Sequence, residues 1–311
     1  VGVQFVRQSP RMRAVLWRIS VFFLHATALM ALLPLVAKGL EGGGAGTFTL
    51  LLASMGAGAI VAALFLPRLR QAMPRDALVL RGTLVQAAAT GVMAWAPNVY
   101  VAVPAMVLAG MAWITTANTL SVSAQLALPN WVRARGMSIY QMSIMGATAA
   151  GAALWGQVAS LTDVHTSLGL AAVSGGIVMA VVQRLVADRA IEEDLSPSSA
   201  FKAPTAPTPP EAGRVVVTIE YFIHPARANE FRAVMQESRR SRLRQGALDW
   251  QLMHDISNPT RYVERIEDES WTEHLRRFDR VTASDVALRE RKLAFHTGDA
   301  PPKVTRWTVE R

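Results

Sequence analysis

The chain has 311 residues, of which 51% are hydrophobic, and its formal net charge is +9. It contains no cysteine, which excludes disulfide bonds and cysteine-based metal sites. Most acidic residues lie beyond Arg214, so an apolar, acid-poor region precedes a charged one. Much of the excess positive charge lies beside apolar stretches, where membrane topology explains it, and we predict no nucleic-acid partner.

Six apolar stretches fill the first region, and each is long enough to cross a bilayer as one helix. Several are rich in glycine and alanine, which lets helices in lipid approach closely. We therefore predict a six-helix transmembrane domain over residues 1–189 that contacts the lipid bilayer. The predicted spans are 14–37, 47–66, 77–96, 99–120, 136–161 and 166–187.

Arginines lie almost entirely in alternate gaps between these stretches. They precede the first stretch and recur in the second and fourth gaps, as Arg68, Arg70, Arg75, Arg133 and Arg135. Arginine-rich loops face the cytoplasm, so we expect both ends of this chain to be cytoplasmic. The same arginines have two interpretations: they set topology and contact headgroups, or they form a gating latch on the C-terminal ends of neighbouring helices.

The composition changes after the sixth stretch. Residues 190–213 are rich in Pro, Ala, Ser and Thr and predict a flexible linker. Residues 214–311 then alternate between strand and helix patterns, in the order β-α-β-β-α-β that is typical of a ferredoxin-like domain. The predicted strands are 215–223, 250–255, 261–269 and 303–309, and the predicted helices begin at Pro225 and cover 272–281 and 284–295.

Several strings resemble a known family. The likeness is carried by SPRMRAVLWRISVFFLHATALMALLPLVA, LLLASMGAGAIVAALFLPRLR and TLSVSAQLALPNWVRARGMSIYQM. They resemble the second half of a major facilitator superfamily transporter, in particular the enterobactin-exporter-like proteins, also called transmembrane secretion effectors. One departure is the loop Pro67–Leu78, which matches the family's basic motif only loosely because Asp76 follows the arginines.

The C-terminal region resembles the dimeric α+β barrel domains of the antibiotic-biosynthesis-monooxygenase type. The string that carries this likeness is IEYFIHPARANEFRAVMQESRRSRLRQGALDWQLMHD. Together the two resemblances imply an all-α membrane bundle, half of a major facilitator fold, followed by a small α+β domain. They also imply a bacterial inner-membrane location, a missing six-helix half before Val1, a small-molecule substrate and a homodimer through the C-terminal domain.

Polar residues within the apolar stretches are candidates for a substrate path or for coupling. His25 lies near the middle of the first stretch, and Arg18 is seven residues earlier on the same helix face. Each has a structural alternative: His25 relays protons or makes a structural hydrogen bond, and Arg18 acts at membrane depth or snorkels to the interface. The other candidates, which line the path or bond neighbouring helices, are Gln86, Asn118, Gln125, Tyr140 and Gln141.

The sequence favours a secondary transporter, a small-molecule exporter with a cytoplasmic regulatory or dimerisation domain. The alternative is a membrane-tethered, cofactor-independent monooxygenase, which an apolar pocket with convergent polar groups in the C-terminal domain would favour. We predict no catalytic residue and no cofactor. We also predict no metal, because the histidines of that domain are scattered without metal-ligand spacing. We expect Trp250, Trp271 and Phe278 to fill its core, and the arginines of 239–244 to form a solvated helix end.

Overall fold

The computed structural model describes residues 2–40, 43–187, 194–198, 200–201, 203–205 and 213–310. The chain divides into two compact units. The membrane unit contains Arg11–Leu126 and Met137–Ala190, and the soluble unit contains Val1–Pro10, Ala127–Gly136 and Ile191–Arg311. Much of the predicted linker, 190–213, lies outside the described residues.

Six long helices follow a short N-terminal one, α1 (Gly2–Gln8). All six are long and apolar enough to cross a membrane, which confirms the predicted six-helix bundle. The shortest, α4, has 20 residues and therefore spans about 30 Å, the thickness of a hydrocarbon core. The six are α2 (Pro10–Gly39), α3 (Ala45–Ala72), α4 (Arg75–Ala94), α5 (Val99–Leu126), α6 (Arg133–Leu161) and α7 (Val164–Ala187).

Glycines bring α3 and α5 into backbone contact. A Cβ atom at Gly58 of α3 would overlap the carbonyl oxygen of Val107, and one at Gly110 of α5 would overlap the carbonyl oxygen of Met55. The two helices therefore cross where neither has a side chain, as small residues allow in lipid.

The membrane unit has a core where α2, α3, α4 and α5 meet. Its fully buried side chains include Leu29, Leu33, Leu51, Met93 and Met106. In contrast, α6 is the least buried of the six, because only 11% of its apolar 18-residue window is buried and about half of its residues are exposed.

The soluble unit contains a four-stranded sheet of β1 (Val215–Phe222), β2 (Asp249–His254), β3 (Arg261–Asp268) and β4 (Lys303–Thr308). The strand order is β2-β3-β1-β4, and every neighbouring pair is antiparallel. The helices are α8 (Ala228–Gln245), α9 (Trp271–Arg276) and α10 (Ala283–Leu293). The strand bounds agree with the predicted ones to within one residue.

The predicted helix over 272–281 is broken. It ends as α9 at Arg276, and a short 3-10 turn over Phe278–Arg280 follows. Thr282 and Asp285 then form a capping box that starts α10, and the extended backbone at Val281 and Thr282 cannot continue a helix.

Burial alternates strictly along β3. Tyr262, Glu264, Ile266 and Asp268 are buried, and the residues between them are partly exposed. Phe231 and Met235 of α8 pack in the same core, so the helix covers this face of the sheet. Two carboxylates therefore lie on an otherwise apolar inner face.

Part of the predicted linker pairs with the soluble unit. Pro197 and Thr282 form an antiparallel bridge, and Ser198 N donates a hydrogen bond to the carbonyl oxygen of Val281 (3.0 Å). The amide of Ala283 donates in turn to Ser196 O (3.0 Å). This part of the segment is therefore held by backbone hydrogen bonds.

Candidate functional site

Arg18 and Asp76 form an ion pair in the membrane unit. Arg18 Nη1 donates to Oδ1 of Asp76 (2.7 Å) and Nη2 donates to Oδ2 (3.2 Å), which is the bidentate geometry of a strong pair. The arginine is 6% exposed, and Asp76 lies in the first turn of α4. A half-exposed carboxylate therefore pairs with two of the three guanidinium nitrogens of Arg18, whereas Nε has no hydrogen-bond partner among the described residues, and the choice between a role at membrane depth and snorkelling stays open. Sequence reasoning missed this partner, although Asp76 had stood out as the acid of a basic loop.

His25 lies near the middle of α2 and is partly buried. Its Nδ1 is 2.8 Å from the carbonyl oxygen of Val21, so Nδ1 carries the hydrogen and donates it. The ring lies 5.7 Å from that of Trp155, whose Nε1 donates to Leu24 O (2.9 Å). The structural hydrogen bond is present, and the proton-relay role stays a prediction.

Gln86 and Thr116 are buried polar residues inside the membrane unit, 3% and 0% exposed. Neither the amide atoms of Gln86 nor Oγ1 of Thr116 has a hydrogen-bond partner among the described residues. A Cβ at Gly82, one turn before Gln86, would collide with Thr116 Oγ1, so α4 and α5 are close here. Buried polar groups without partners are costly, which makes this pair a candidate for ligand or water binding.

Three exposed polar side chains, Asn118 and Gln125 of α5 and Gln141 of α6, form what we call the polar band. Asn118 is eight residues before the end of α5, and Gln141 is eight residues after the start of α6, so each lies about 12 Å from that helix end. Arg70 Nη2 donates to Asn118 Oδ1, and Gln125 Nε2 lies 3.5 Å from Ser121 Oγ. Tyr140, a further candidate, is buried instead.

The arginines of the predicted cytoplasmic gaps are exposed: Arg68, Arg70, Arg75, Arg133 and Arg135. Arg133 and Arg135 lie in the first turn of α6 and belong to the soluble unit, as part of the segment 127–136, which contains the α5–α6 connection and the start of α6. Their topological and latch roles both stay predictions.

Within the soluble unit, α1 packs with the segment 127–136. The rings of Phe5 and Trp131 meet edge to face with centroids 5.6 Å apart, and the guanidinium of Arg280 lies 5.2 Å from the Trp131 centroid. Gln4 Nε2 also donates to the carbonyl oxygen of Ala247 (2.7 Å). The α5–α6 connection and the N-terminal helix are thus parts of one packed structure with the C-terminal sheet.

The soluble unit contains a cavity of about 470 Å³ between the inner face of the sheet and the helices α8 and α10. We call it the inner cavity. Its apolar lining includes Val217, Ile219, Ile266, Leu288 and Val304. Five cations also line it: Arg242, Arg277, Arg289, Lys292 and Arg306. Apolar walls with convergent polar groups are typical of a small-molecule site.

Glu264 lies at the base of this arrangement and is fully buried. Its carboxylate accepts hydrogen bonds from Trp250 Nε1 (2.8 Å), Ser238 Oγ (2.9 Å) and the Tyr221 hydroxyl (3.2 Å). Trp250 therefore does fill the core, as predicted, and its indole N–H also binds a charge there.

Two cations approach the same carboxylate. Lys292 Nζ lies 3.2 Å from Oε2, and Arg242 Nε lies 3.8 Å from Oε1. Burial alone would raise the pKa of Glu264, but the charges of Lys292 and Arg242 and the hydrogen bonds outweigh it and lower the pKa to about 2. Burial lowers the pKa of Lys292 to about 8, against the attraction of Glu264. Glu264 is therefore ionised at neutral pH.

A second buried network surrounds Asp268. Arg277 Nη1 donates to both oxygens of Asp268 (2.8 and 2.7 Å), and His274 Nδ1 lies 2.8 Å from Oδ2. Arg306 Nε donates to His274 Nε2 (3.2 Å), so Nδ1 is the nitrogen that carries the hydrogen. Burial would raise the pKa of Asp268, but the His274 hydrogen bond and the Arg277 charge hold it below its usual value.

Two predictions for this domain need correction. The arginines of 239–244 are not all solvated, because Arg244 is only 9% exposed and Arg242 approaches the buried Glu264. Phe278 is half-buried, lines the inner cavity and lies outside the core cluster that contains Trp250. The missed signal was the alternation of β3, which places Glu264 and Asp268 on the inner face. Among the described residues, no group of three or more His, Asp or Glu side chains could hold a metal.

The comparison with known families covers the whole molecule. The profile described as transmembrane secretion effector matches residues 1–311. The chain belongs to the transmembrane secretion effector family. It is therefore a multi-pass membrane transporter of the major facilitator type, and this membership points to transport rather than to an enzyme. A search of curated proteins gives no match.

Proposed function

We propose that this transmembrane secretion effector exports small molecules by alternating access, with the soluble unit regulating it on the cytoplasmic side of a bacterial inner membrane. The polar band carries the proposal. Exposed amides on helices that cross lipid are unfavourable unless they face water, substrate or protein. Asn118 and Gln125 are seven residues apart, so they lie on one face of α5. Gln125 is next to the helix end, whereas Asn118 and Gln141 both lie about 12 Å inside their helices.

The exposed surface of α6 supports the same architecture. A membrane helix that buries so little within its own unit has a face available for another partner. We assign that partner to a second six-helix half, with the substrate path between the halves near the middle of the membrane. The buried amide of Gln86 and the hydroxyl of Thr116 are then sites that a substrate or water reaches in one of the two states.

Single cysteines test the path directly, because the chain has no native cysteine. We would introduce Asn118→Cys, Gln125→Cys or Gln141→Cys and treat oriented membrane vesicles with a membrane-impermeant maleimide. Val173→Cys, at an exposed apolar position of α7, is the matched control. We expect labelling of the band from the cytoplasmic face only, and no labelling of the control. Band cysteines as unreactive as Val173→Cys would contradict a water-filled path, and labelling from the opposite face would contradict the orientation.

A proton gradient across the vesicle membrane is needed to test alternating access and the direction of transport. The labelling rate of Asn118→Cys should change when a proton gradient is imposed, because the gradient shifts the balance between inward-open and outward-open states. Inverted vesicles should then accumulate an exported compound from a small-molecule panel. Accumulation that survives collapse of the gradient would rule out proton coupling, including a proton relay through His25.

The proposed regulatory role rests on which segments of the chain make up the soluble unit. The segment 127–136 joins two membrane helices and yet packs with α1 and the C-terminal sheet. A conformational change in that sheet would therefore reach the connection between α5 and α6 and the first turn of α6, which contains Arg133 and Arg135. Trp131→Ala should break the coupling between the C-terminal sheet and the α5–α6 connection without abolishing transport. A variant with unchanged transport and unchanged regulation by the soluble unit would argue against the regulatory role.

We also propose a ferredoxin-like identity for the C-terminal domain, supported by the β-α-β-β-α-β order and the strand order β2-β3-β1-β4. Its outer sheet face exposes Trp307, which is 58% accessible. This face supports a homodimer through the sheet. Trp307→Glu should shift the purified protein to a smaller mass in light scattering, and an unchanged mass would refute the dimer.

The inner cavity favours the monooxygenase alternative, but the buried carboxylates of Glu264 and Asp268 do not suit catalysis. Glu264 and Asp268 are both held ionised by buried cations, and neither is free to accept a substrate proton. The cavity therefore supports ligand binding better than turnover.

A further inference from the structure

We propose that the inner cavity of the soluble unit is a binding site for a small soluble organic anion with an apolar body, such as an aromatic carboxylate. The binding step rests on the cavity alone. Only its consequence for transport rests on the proposed regulatory function.

Charge is the first argument. Among the described residues, the five cations of the lining face three carboxylates, those of Glu264, Asp268 and Asp285, which leaves an excess of two positive charges. Arg289 and Arg306 are exposed, whereas Arg277 and Lys292 are buried. Positive charge therefore extends from accessible positions to the interior, and this distribution attracts an anion.

A buried arginine N–H with no hydrogen-bond partner in the described part of the chain is the second observation that supports anion binding. Arg277 and Gln245 both line the cavity and are 5% and 4% exposed. Nε–H of Arg277, a donor, and Oε1 of Gln245, an acceptor, have no hydrogen-bond partner among the described residues, and of the two only the arginine can bind an anion directly. A guanidinium already held by Asp268 through Nη1 is fixed in orientation, and its free N–H is a ready donor to a carboxylate oxygen.

The apolar part of the cavity lining indicates which kind of anion fits. Ile219, Ile266 and Leu288 make the walls apolar, and about 470 Å³ accommodates a ring system or a short chain. An inorganic ion would leave these walls without contact. Phe201 also lines the cavity and stacks against the Arg289 guanidinium, 4.9 Å from its ring centroid. An aromatic body is thus matched by an aromatic contact.

The cavity also borders the α5–α6 connection. Gln245 and Asp285 line both the inner cavity and a smaller one that contains Phe5 and Trp131. An anion bound to the Gln245 side would change the packing of Trp131. If the proposed function holds, this contact makes the anion an effector of transport.

Binding can be measured on the whole protein in nanodiscs of zwitterionic lipid. The probe is para-trifluoromethylbenzoate, followed by fluorine NMR relaxation, and its neutral match is para-trifluoromethylbenzamide. Empty nanodiscs give the lipid background. The test variant is Arg289→Gln with Arg306→Gln, and the matched control is Arg232→Gln with Arg239→Gln, two exposed arginines of α8 that do not line the cavity. Leu288→Trp fills the cavity without changing its charge.

We expect the benzoate to bind at least about tenfold more tightly than the benzamide, since only the former makes charge-assisted hydrogen bonds. The double variant at the cavity and Leu288→Trp should each weaken benzoate binding by about tenfold, and the α8 control should not. Equal binding of the two probes, or equal effects of the two double variants, would overturn the proposal. So would loss of benzoate binding when the nanodiscs are prepared with added anionic lipid, because the occupant would then be a headgroup. Transport enters none of these readouts, so failure of the proposed function leaves them interpretable.

Discussion

Lys292→Met should strongly destabilise the soluble unit. The ammonium group lies 3.2 Å from Oε2 of Glu264 and is the strongest cationic influence on that carboxylate. Without it, Arg242, at 3.8 Å, is the nearest cation to this fully buried negative charge among the described residues. Removing one partner of a buried ion pair costs about 3–5 kcal/mol, a large part of the stability of a small domain.

The double variant Glu264→Gln with Lys292→Met distinguishes the contribution of the ion pair from that of the hydrogen bonds around it. Glu264→Gln keeps an oxygen that accepts from Trp250 and Ser238 but removes the charge, so with Lys292→Met no unpaired ion remains. We expect the double variant to lose about 1–2 kcal/mol, less than Lys292→Met alone. Hydrogen exchange of β1 and β3 peptides in the whole protein measures the local opening free energy. The argument would be refuted if the double variant lost as much stability as the two single variants together. It would also be refuted if Lys292→Met lost less than about 1 kcal/mol.

The pH dependence follows from the same carboxylate. The folded state holds the pKa of Glu264 at about 2, below its usual 4.5, so the unfolded state binds more protons between these values. The stabilisation is complete above pH 4.5 and is lost as the pH falls towards 2, a change of about 3 kcal/mol. Lys292→Met should reduce this acid sensitivity, because Lys292 is the main cause of the lowered pKa.

Three further predictions concern packing and charge. Gly58→Ala should cost the membrane unit about 1–3 kcal/mol, seen as a lower melting temperature in detergent, because the new methyl group overlaps α5. Gly56→Ala, with open space around it, should be neutral or slightly stabilising, and equal effects would contradict the crossing. Arg18→Gln should lower the melting temperature by the equivalent of about 1 kcal/mol, since half of Asp76 is solvated, and adding Asp76→Asn should restore part of the loss; no recovery would exclude an ion-pair effect. Trp131→Ala should speed hydrogen exchange in α1 by about tenfold, and unchanged exchange would show that the indole does not hold that helix.

The sequence predicts the elements well because their patterns are local. Apolar runs of sufficient length locate six membrane helices, and period-two alternation locates the four strands. The same alternation contains Glu264 and Asp268, so a buried acidic pair could have been found by following the inner face of β3. Their partners could not, since Lys292 and Arg277 come from later helices whose orientation only tertiary packing sets. Arg18 and Asp76 are likewise 58 residues apart, and no periodicity links them.

The soluble unit is assembled from three separated stretches of chain, and this makes it a late product of synthesis. Gln4 bonds Ala247 across 243 residues, and the central strand β1 remains without one neighbour until β4 has been made. At about 5–20 residues per second, α1 waits on the order of 12–50 s before its binding surface exists. Phe5 and Val6, which are buried in the finished protein, therefore spend that time exposed or in temporary contacts. A ribosome that stops before α8 leaves them without their final packing, so α1 completes its packing only after most of the 311 residues have been made.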